Sequence, residues 1–335
     1  MKAAFLTGFR RPLELRDLPI PEPGSGQVRI RVHASGVCGT DLHVWRGQGG
    51  VSPPAVLGHE PVGEVEQLGA GVTNVRVGDR VGVSWTQRGC GRCRYCQEER
   101  PKYCADPVTW VENGGGNAEF MLAEAAGCTL LPEQLSWEEA APLFCAGFTV
   151  MSGYRNAGPR PGDRIGILGM GGLGHLGLQI AKAYGHGTVA ITNSPDKVAA
   201  LRSLGADEVL VIKSHVGKEL RQLGGVDVIL STSNSMSQNG EALRGLLPEG
   251  RFVTMAVSEE PIAVIPNLML GRQLVLKGSM LNDRKDLIEV LQLAAQGKVR
   301  PQVEVYPLEE INIALERLEQ GRVRYRAVLR CGEDR

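Results

Sequence analysis

Neither sign of charge predominates in this 335-residue chain, where 37 Lys and Arg stand against 37 Asp and Glu. The broad basic face that nucleic acid or an anionic membrane would require is therefore missing. Also missing is any apolar run near the roughly 18 residues needed to cross a bilayer. The apolar start at Met1–Thr7 is too short for a secretory leader, so a cytoplasmic protein with reduced thiols is expected. No internal repeat and no low-complexity linker occurs. With 42% hydrophobic and 22% charged residues, extensive disorder is excluded. What the chain has in excess is glycine, 44 residues, and that much without a collagen period implies tight turns and close backbone approach to a ligand. Eight cysteines in a reducing compartment ask for a metal or a catalytic role.

The length suggests two domains. Up to about residue 146, short Val/Ile runs such as Gln27–Val32 and Gly78–Val83 are broken by Gly and Pro and read as short antiparallel strands. From Arg164 the texture changes. Strand-like Ile165–Leu168, Thr188–Ile191, Asp207–Val211 and Val226–Leu230 alternate with helical patterns, among them Lys197–Leu204 ended by Gly205. That alternation predicts a doubly wound α/β fold with a parallel sheet. It stops near Asn282. A helix over Asp286–Gln296 and strands over Gln302–Tyr306 and Tyr325–Leu329 close the chain.

Gly169-x-Gly171-x-x-Gly174 follows a strand and opens a helix. Gly169 permits the tight turn, Gly171 leaves room for a pyrophosphate, Gly174 lets helix pack on strand, and the helix N-terminus offers N–H groups to phosphate. The context predicts dinucleotide binding. A cofactor lacking a 2′-phosphate is usually held by an acid at the end of the next strand, yet no Asp or Glu occurs between Gly169 and Asp196. Thr192 occupies the place of the acid. Thr192, Asn193, Ser194 and Lys197 could bind a 2′-phosphate, which favours NADP(H), with NAD(H) as the alternative. Ser194 and Pro195 also read as the N-cap and first position of a helix.

Cys90-x-x-Cys93-x-x-Cys96-x7-Cys104 places four thiols within fifteen residues, the spacing of a structural zinc lobe at about 88–106. Arg92, Arg94, Arg100 and Lys102 could balance the thiolate charge. The reducing compartment opposes a disulfide pairing of these cysteines, and the zero net charge opposes a nucleic-acid zinc knuckle. Three further groups are dispersed: Cys38-Gly39-Thr40-Asp41-Leu42-His43, Gly58-His59-Glu60, and Cys145. Cys38, His59 and Cys145 together would leave a fourth position open on zinc, the catalytic pattern, but spacing alone does not bring them together.

The stretch Gly58-His59-Glu60-Pro61-Val62-Gly63 with Gly69 and Val72, the spacing of Cys90, Cys93, Cys96 and Cys104, and the Gly169–Gly174 turn with Gly172 and Leu173 resemble the zinc-dependent medium-chain alcohol dehydrogenases over essentially the whole chain. The resemblance implies a Rossmann domain, residues 147–282, inserted into a mainly β, barrel-like (GroES-like) catalytic domain formed by residues 1–146 and 283–335. It implies two zinc ions per chain. Cys38, His59 and Cys145 match the catalytic ligands, Glu60 the residue beside that metal, and Asp41 the carboxylate orienting the His59 ring. Thr149 joins the cofactor residues. The implied reaction is hydride transfer between a primary alcohol or its aldehyde and NAD(P), with zinc as Lewis acid and Thr40 and His43 relaying the proton. Trp45, Trp85 and Trp110 match pocket-lining positions and imply an apolar, narrow site suited to aromatic or short alcohols.

Two features distinguish branches within that family. Gly39 follows the first zinc cysteine, as in polyol and threonine dehydrogenases, whereas Cys145 and the Thr-Asp-Leu-His string favour a simple alcohol or aldehyde, and the strand end Thr192–Lys197 resembles the NADP-using cinnamyl-alcohol-type branch. A non-catalytic cofactor-binding member is opposed by the complete ligand set. A homodimer or homotetramer joined through the Rossmann sheets is the family habit. Cys128 and Cys331 receive no role.

Overall fold

A computed structural model describes residues 1–280 and 282–332; Leu281 and the last three residues of the closing segment lie outside the described residues. The chain divides into two units, Met1–Cys145 with Pro301–Arg335, and Ala146–Arg300. The second boundary lies at 300 where the sequence pattern suggested 282. The reason is the helix Arg284–Ala295, which packs on helix Ala146–Ala157 through a buried Ser152 Oγ–H donating to Asp286 Oδ2 at 2.6 Å. The strand–helix alternation ends before this helix, but its apolar face is still needed to cover the inserted unit.

The first unit is built on an 11-residue strand, Gln27–Val37, whose Val28, Ile30, Val32 and Ala34 alternate inward and are fully buried. It pairs antiparallel with Pro61–Leu68, Phe120–Glu124 and Arg326–Arg330. Arg80–Val83 and Cys128–Leu130 extend the sheet on one side, and Val303–Pro307 runs parallel to Arg326–Arg330 on the other. The register is the feature that matters for function. Ser35 lies opposite Pro61, and Val37 opposite Ala327. Cys38, Glu60 and Arg326 each sit one residue beyond those pairs, so three strand ends meet at one rim of the sheet.

In the second unit six strands are all parallel: Arg164–Leu168, Gly187–Thr192, Glu208–Val211, Val226–Ser231, Leu246–Thr254 and Val275–Gly278. In chain order their spatial arrangement is 3-2-1-4-5-6. The strand order reverses beside Arg164–Leu168, and the crevice beyond the carboxyl end of that strand is where such sheets bind dinucleotides. Ile165, Ile167 and Leu168 are buried on both faces, as a central parallel strand must be.

Cys145 is delivered by a 3-10 turn, Ala141–Phe144, whose residues are all buried. The tip of the Phe144 ring points at Gly82, where an added Cβ would come within 2.3 Å of it. Gly82→Ala should therefore destabilise the protein by about 1–3 kcal/mol, the usual result of overpacking a filled core. The expected observation is a lower denaturation midpoint with an unchanged slope; an unchanged midpoint would mean that Phe144 moves aside freely.

Candidate functional site

The three strand ends and the turn before Cys145 bring Cys38, His59, Glu60 and Cys145 together, with their ligand atoms all within 4.8 Å of one another. Cys38 Sγ and Cys145 Sγ are 3.8 Å apart. A tetrahedron with Zn–S bonds of about 2.3 Å has an edge of about 3.8 Å, so the two sulfurs already have the separation that zinc requires. His59 is 2% exposed, and neither of its ring nitrogens has a hydrogen-bond partner. A buried imidazole left without partners is costly unless something else binds it. The donor set fits zinc.

Asp41 has two tasks. Its Oδ2 accepts the Cys38 N–H at 2.7 Å, capping the helix Gly39–Trp45, and its Oδ1 faces His59 Nδ1 at 3.5 Å. That contact leaves Nε2 for a metal. Burial works to depress the His59 imidazole, but Asp41 and the Cys38 sulfur outweigh it and hold it well above its ordinary value. The hydrogen bond with Cys145 holds Cys38 well below the usual thiol range and raises Cys145 in turn. One thiol of the pair is thus readied as thiolate.

Glu60 is fully buried and grips Arg326: Nη2 donates to Oε1 at 2.5 Å and to Oε2 at 2.6 Å. Burial pushes the Glu60 carboxyl up to about 7, against the pull of Arg326. Gly36 provides the room, since a Cβ there would meet Glu60 Oε2 at 1.8 Å.

On the helix Gly39–Trp45, Thr40 and His43 are three residues apart and share a face. The Thr40 hydroxyl is 3.8 Å from Cys38 Sγ. Trp85 meets the His59 ring edge-on with centroids 5.4 Å apart, and Trp110 lies at 6.5 Å. Trp45 is placed differently, its indole N–H donating to the Arg11 carbonyl at 2.7 Å.

Cys90, Cys93, Cys96 and Cys104 form the second cluster within 4.8 Å. The backbone N–H groups of Arg92 and Cys93 point at the Cys90 sulfur and bring its thiol down to about 6, a thiolate prepared for metal. Gly89 is required here, because a Cβ would come within 2.4 Å of Cys96 Sγ. The expected counter-charges are differently employed. Arg92 pairs with Asp106, while Arg94 and Arg100 pair with Glu98. Arg100 also lies over the rings of Tyr95 and Tyr103, and Lys102 over that of Tyr103. None of the eight cysteines is in a disulfide.

In the other unit Gly169 has φ +92°, a Cβ on Gly174 would meet the Gly169 carbonyl oxygen at 2.0 Å, and Gly171 faces open space. These are the three properties a pyrophosphate-binding turn needs. Gly172 and Leu173 lead into helix Gly174–Ala183, with Leu173 at its N-cap position. The turn lines one cavity with Thr192, Asn193, Ser194, Lys197 and Gln238. Thr192 Oγ1 accepts the Ser194 N–H at 3.1 Å, and Lys197 Nζ donates to the Met170 carbonyl at 2.9 Å. Asn193 and Gln238 exchange two side-chain hydrogen bonds. Ser194 stands at the N-cap position of a 3-10 turn but makes no capping bond through its hydroxyl. Thr149 is linked to Asn282, whose Nδ2 donates to its hydroxyl at 3.4 Å.

Residues 24–133 match the alcohol dehydrogenase GroES-like domain and residues 172–296 the zinc-binding dehydrogenase domain. An alcohol dehydrogenase of Geobacillus stearothermophilus is 38% identical, over 98% of this chain and 99% of that one. The chain belongs to the zinc-type medium-chain alcohol dehydrogenase family. A probable cinnamyl alcohol dehydrogenase of Populus deltoides is also 38% identical, covering 92% of this chain and 89% of its own. Among solved structures, a cinnamyl alcohol dehydrogenase of Sorghum bicolor superposes with a TM-score of 0.90 at 32% identity, over 98% of this chain and 97% of that one. A Rossmann unit and a GroES-like unit in one chain are therefore the family's own two folds. No helix among the described residues is long and apolar enough to cross a membrane.

For a dehydrogenase of this family, sequence reasoning passed over Arg326 and Gly36. The signal for Arg326 was available: a cation at the start of a closing strand whose next residues, Ala327, Val328 and Leu329, are apolar. Arg326→Met should strand the Glu60 carboxyl in the interior and lower stability by about 3–5 kcal/mol. Combining it with Glu60→Gln should restore much of that loss. Denaturant unfolding of the single and double variants checks this, and a loss below about 1 kcal/mol for Arg326→Met would show that the pair does not hold the site.

Proposed function

We propose that this chain oxidises a primary alcohol, aromatic or short, and reduces the matching aldehyde, using NADP(H) in preference to NAD(H). The observation that carries the reading is the cluster of Cys38, His59 and Cys145, whose buried imidazole has Asp41 on its Nδ1 side and no hydrogen-bond partner on either ring nitrogen. Zinc held by these three residues would supply Lewis acidity to the substrate oxygen, and the nicotinamide would accept or return the hydride. Thr40, beside Cys38, takes the alcohol proton; His43 on the same helical face passes it to solvent. Glu60 remains anchored by Arg326 next to the ligands. Trp85 and Trp110 give the neighbourhood of His59 an apolar wall, which suits the aromatic alcohols named in the cinnamyl relatives. The family habit of a homodimer or homotetramer is part of the same proposal, supported by the strand Val275–Gly278 at the open edge of the six-stranded sheet, with Val275 half exposed. The undisulfided cysteines accord with a cytoplasmic location.

The second zinc in this reading is structural and bound by Cys90, Cys93, Cys96 and Cys104. Elemental analysis of the fully metallated protein should give two zinc ions per chain, and one would refute the pairing. Cys93→Ser should mainly lower stability, since a structural site contributes folding energy. Cys145→Ser should mainly abolish reduced-nicotinamide formation from a primary alcohol, and full turnover by that variant would refute the catalytic assignment.

The cofactor preference rests on the strand end. Thr192 leaves no carboxylate to repel a 2′-phosphate, and the Ser194 hydroxyl is not used as a cap. The Lys197 ammonium lines the same cavity, where its positive charge would attract a phosphate. One charge-assisted contact corresponds to roughly 10- to 150-fold in affinity. Catalytic efficiency should favour NADP(H), and Thr192→Asp should shift the ratio towards NAD(H). An unchanged ratio, or a parent that already prefers NAD(H), would overturn this part.

A further inference from the structure

Helix Gly39–Trp45 ends at Arg46, and Gly47 follows with φ +87°. The Gly47 N–H bonds to the Val44 carbonyl at 2.9 Å, and the Gln48 N–H to the His43 carbonyl at 2.8 Å. Those two bonds are the Schellman closure of a helix. It needs a left-handed residue at 47, which glycine supplies, and it lays the side chain of residue 48 over that of residue 43. An apolar contact frequently accompanies such a closure. Here the pair is polar, with Gln48 Oε1 3.0 Å from His43 Nδ1. An amide oxygen can only accept. With Nδ1–H donating to it, Nε2 keeps its lone pair.

We propose that Gln48 is a positioning residue for the proton relay: it fixes His43 in the Nδ1–H tautomer, so that Nε2 is the atom that receives the proton passed on from Thr40. This rests on the reading of Thr40 and His43 given above. The balance is simple. Nε2 gains one proton, the imidazolium loses one to solvent, and the ring returns to the tautomer that Gln48 selects. Charged groups on the helices packed here are already engaged: Asp41 with His59, Arg46 with Glu319 at 2.8 Å, Glu316 with Gln320, and Arg317 with Glu304. Gln48 is exposed and His43 half-buried, so the bond and not core packing sets the ring state.

The test uses the zinc-loaded enzyme with Gln48→Leu, Gln48→Glu and, as reference, His43→Ala. Leucine removes the acceptor. Alcohol turnover near neutral pH should fall about two- to tenfold, the range of one neutral hydrogen bond. It should recover at alkaline pH, where hydroxide can take the proton, and KM for the alcohol should not change. Glutamate keeps an acceptor and adds a negative charge that favours imidazolium, so the acid limb of the kcat profile should move to higher pH. Nitrogen-15 NMR reads the tautomer without turnover: Nδ1–H in the parent and Gln48→Glu, a mixture in Gln48→Leu. If His43→Ala loses neutral activity while both Gln48 variants keep the parent's profile and tautomer, the inference is wrong and the relay stands. If His43→Ala keeps the parent's profile, the relay reading falls and takes the inference with it.

Discussion

A carboxylate and a guanidinium sit almost entirely out of water at the rim of the sheet, and the cluster of Cys38, His59 and Cys145 is arranged around them. Glu60 and Arg326 are 0% and 3% exposed. Isolated, either charge would be intolerable at that depth. Paired, they tie the start of strand Pro61–Leu68 to the start of strand Arg326–Arg330, with Gly36 between them leaving space that any side chain would close. His59 directly precedes Glu60, and Cys38 follows Val37 at the end of strand Gln27–Val37, which pairs with both of those strands. The positions of Cys38 and His59 therefore follow from the register of one sheet joined to one buried ion pair, while the turn Ala141–Phe144 brings in Cys145.

The two units solve different problems with the same residue. In the catalytic unit, Gly36, Gly82 and Gly89 are places where a Cβ would strike Glu60, Phe144 or Cys96, two of them members of the candidate metal clusters and the third the neighbour of Cys145 in the chain. In the dinucleotide unit, Gly169 needs its left-handed backbone and Gly174 its close approach to a carbonyl oxygen, while Gly171 faces space that a pyrophosphate would fill. These six glycines thus mark sites where backbone or side chain must come close to a ligand, to its anchor or to a core ring beside it.

Local signals were legible in the sequence, and long-range convergence was not. The Gly169–Gly174 turn and the Cys90–Cys104 lobe carry their chemistry within fifteen residues, so spacing alone announced them. Cys38 and Cys145 are 107 positions apart, and only the family resemblance joined them before the fold did. Arg326 lies still farther from its partner Glu60, at a separation of 266. The domain boundary was placed too early because a helix that covers a sheet need not be followed by another strand of it. Gln48 escaped notice because its role depends on a helix closure, which a sequence pattern does not display.

The central claim is that substrate chemistry happens at the metal held by Cys38, His59 and Cys145, and the most direct measurement is the visible spectrum of protein with cobalt exchanged into that site. Thiolate-to-cobalt bands should be present, and they should shift when a primary alcohol is added with oxidised NADP but not when Cys145 is replaced by Ser. Bands that are indifferent to alcohol and cofactor, in a protein that still turns the alcohol over, would contradict the account.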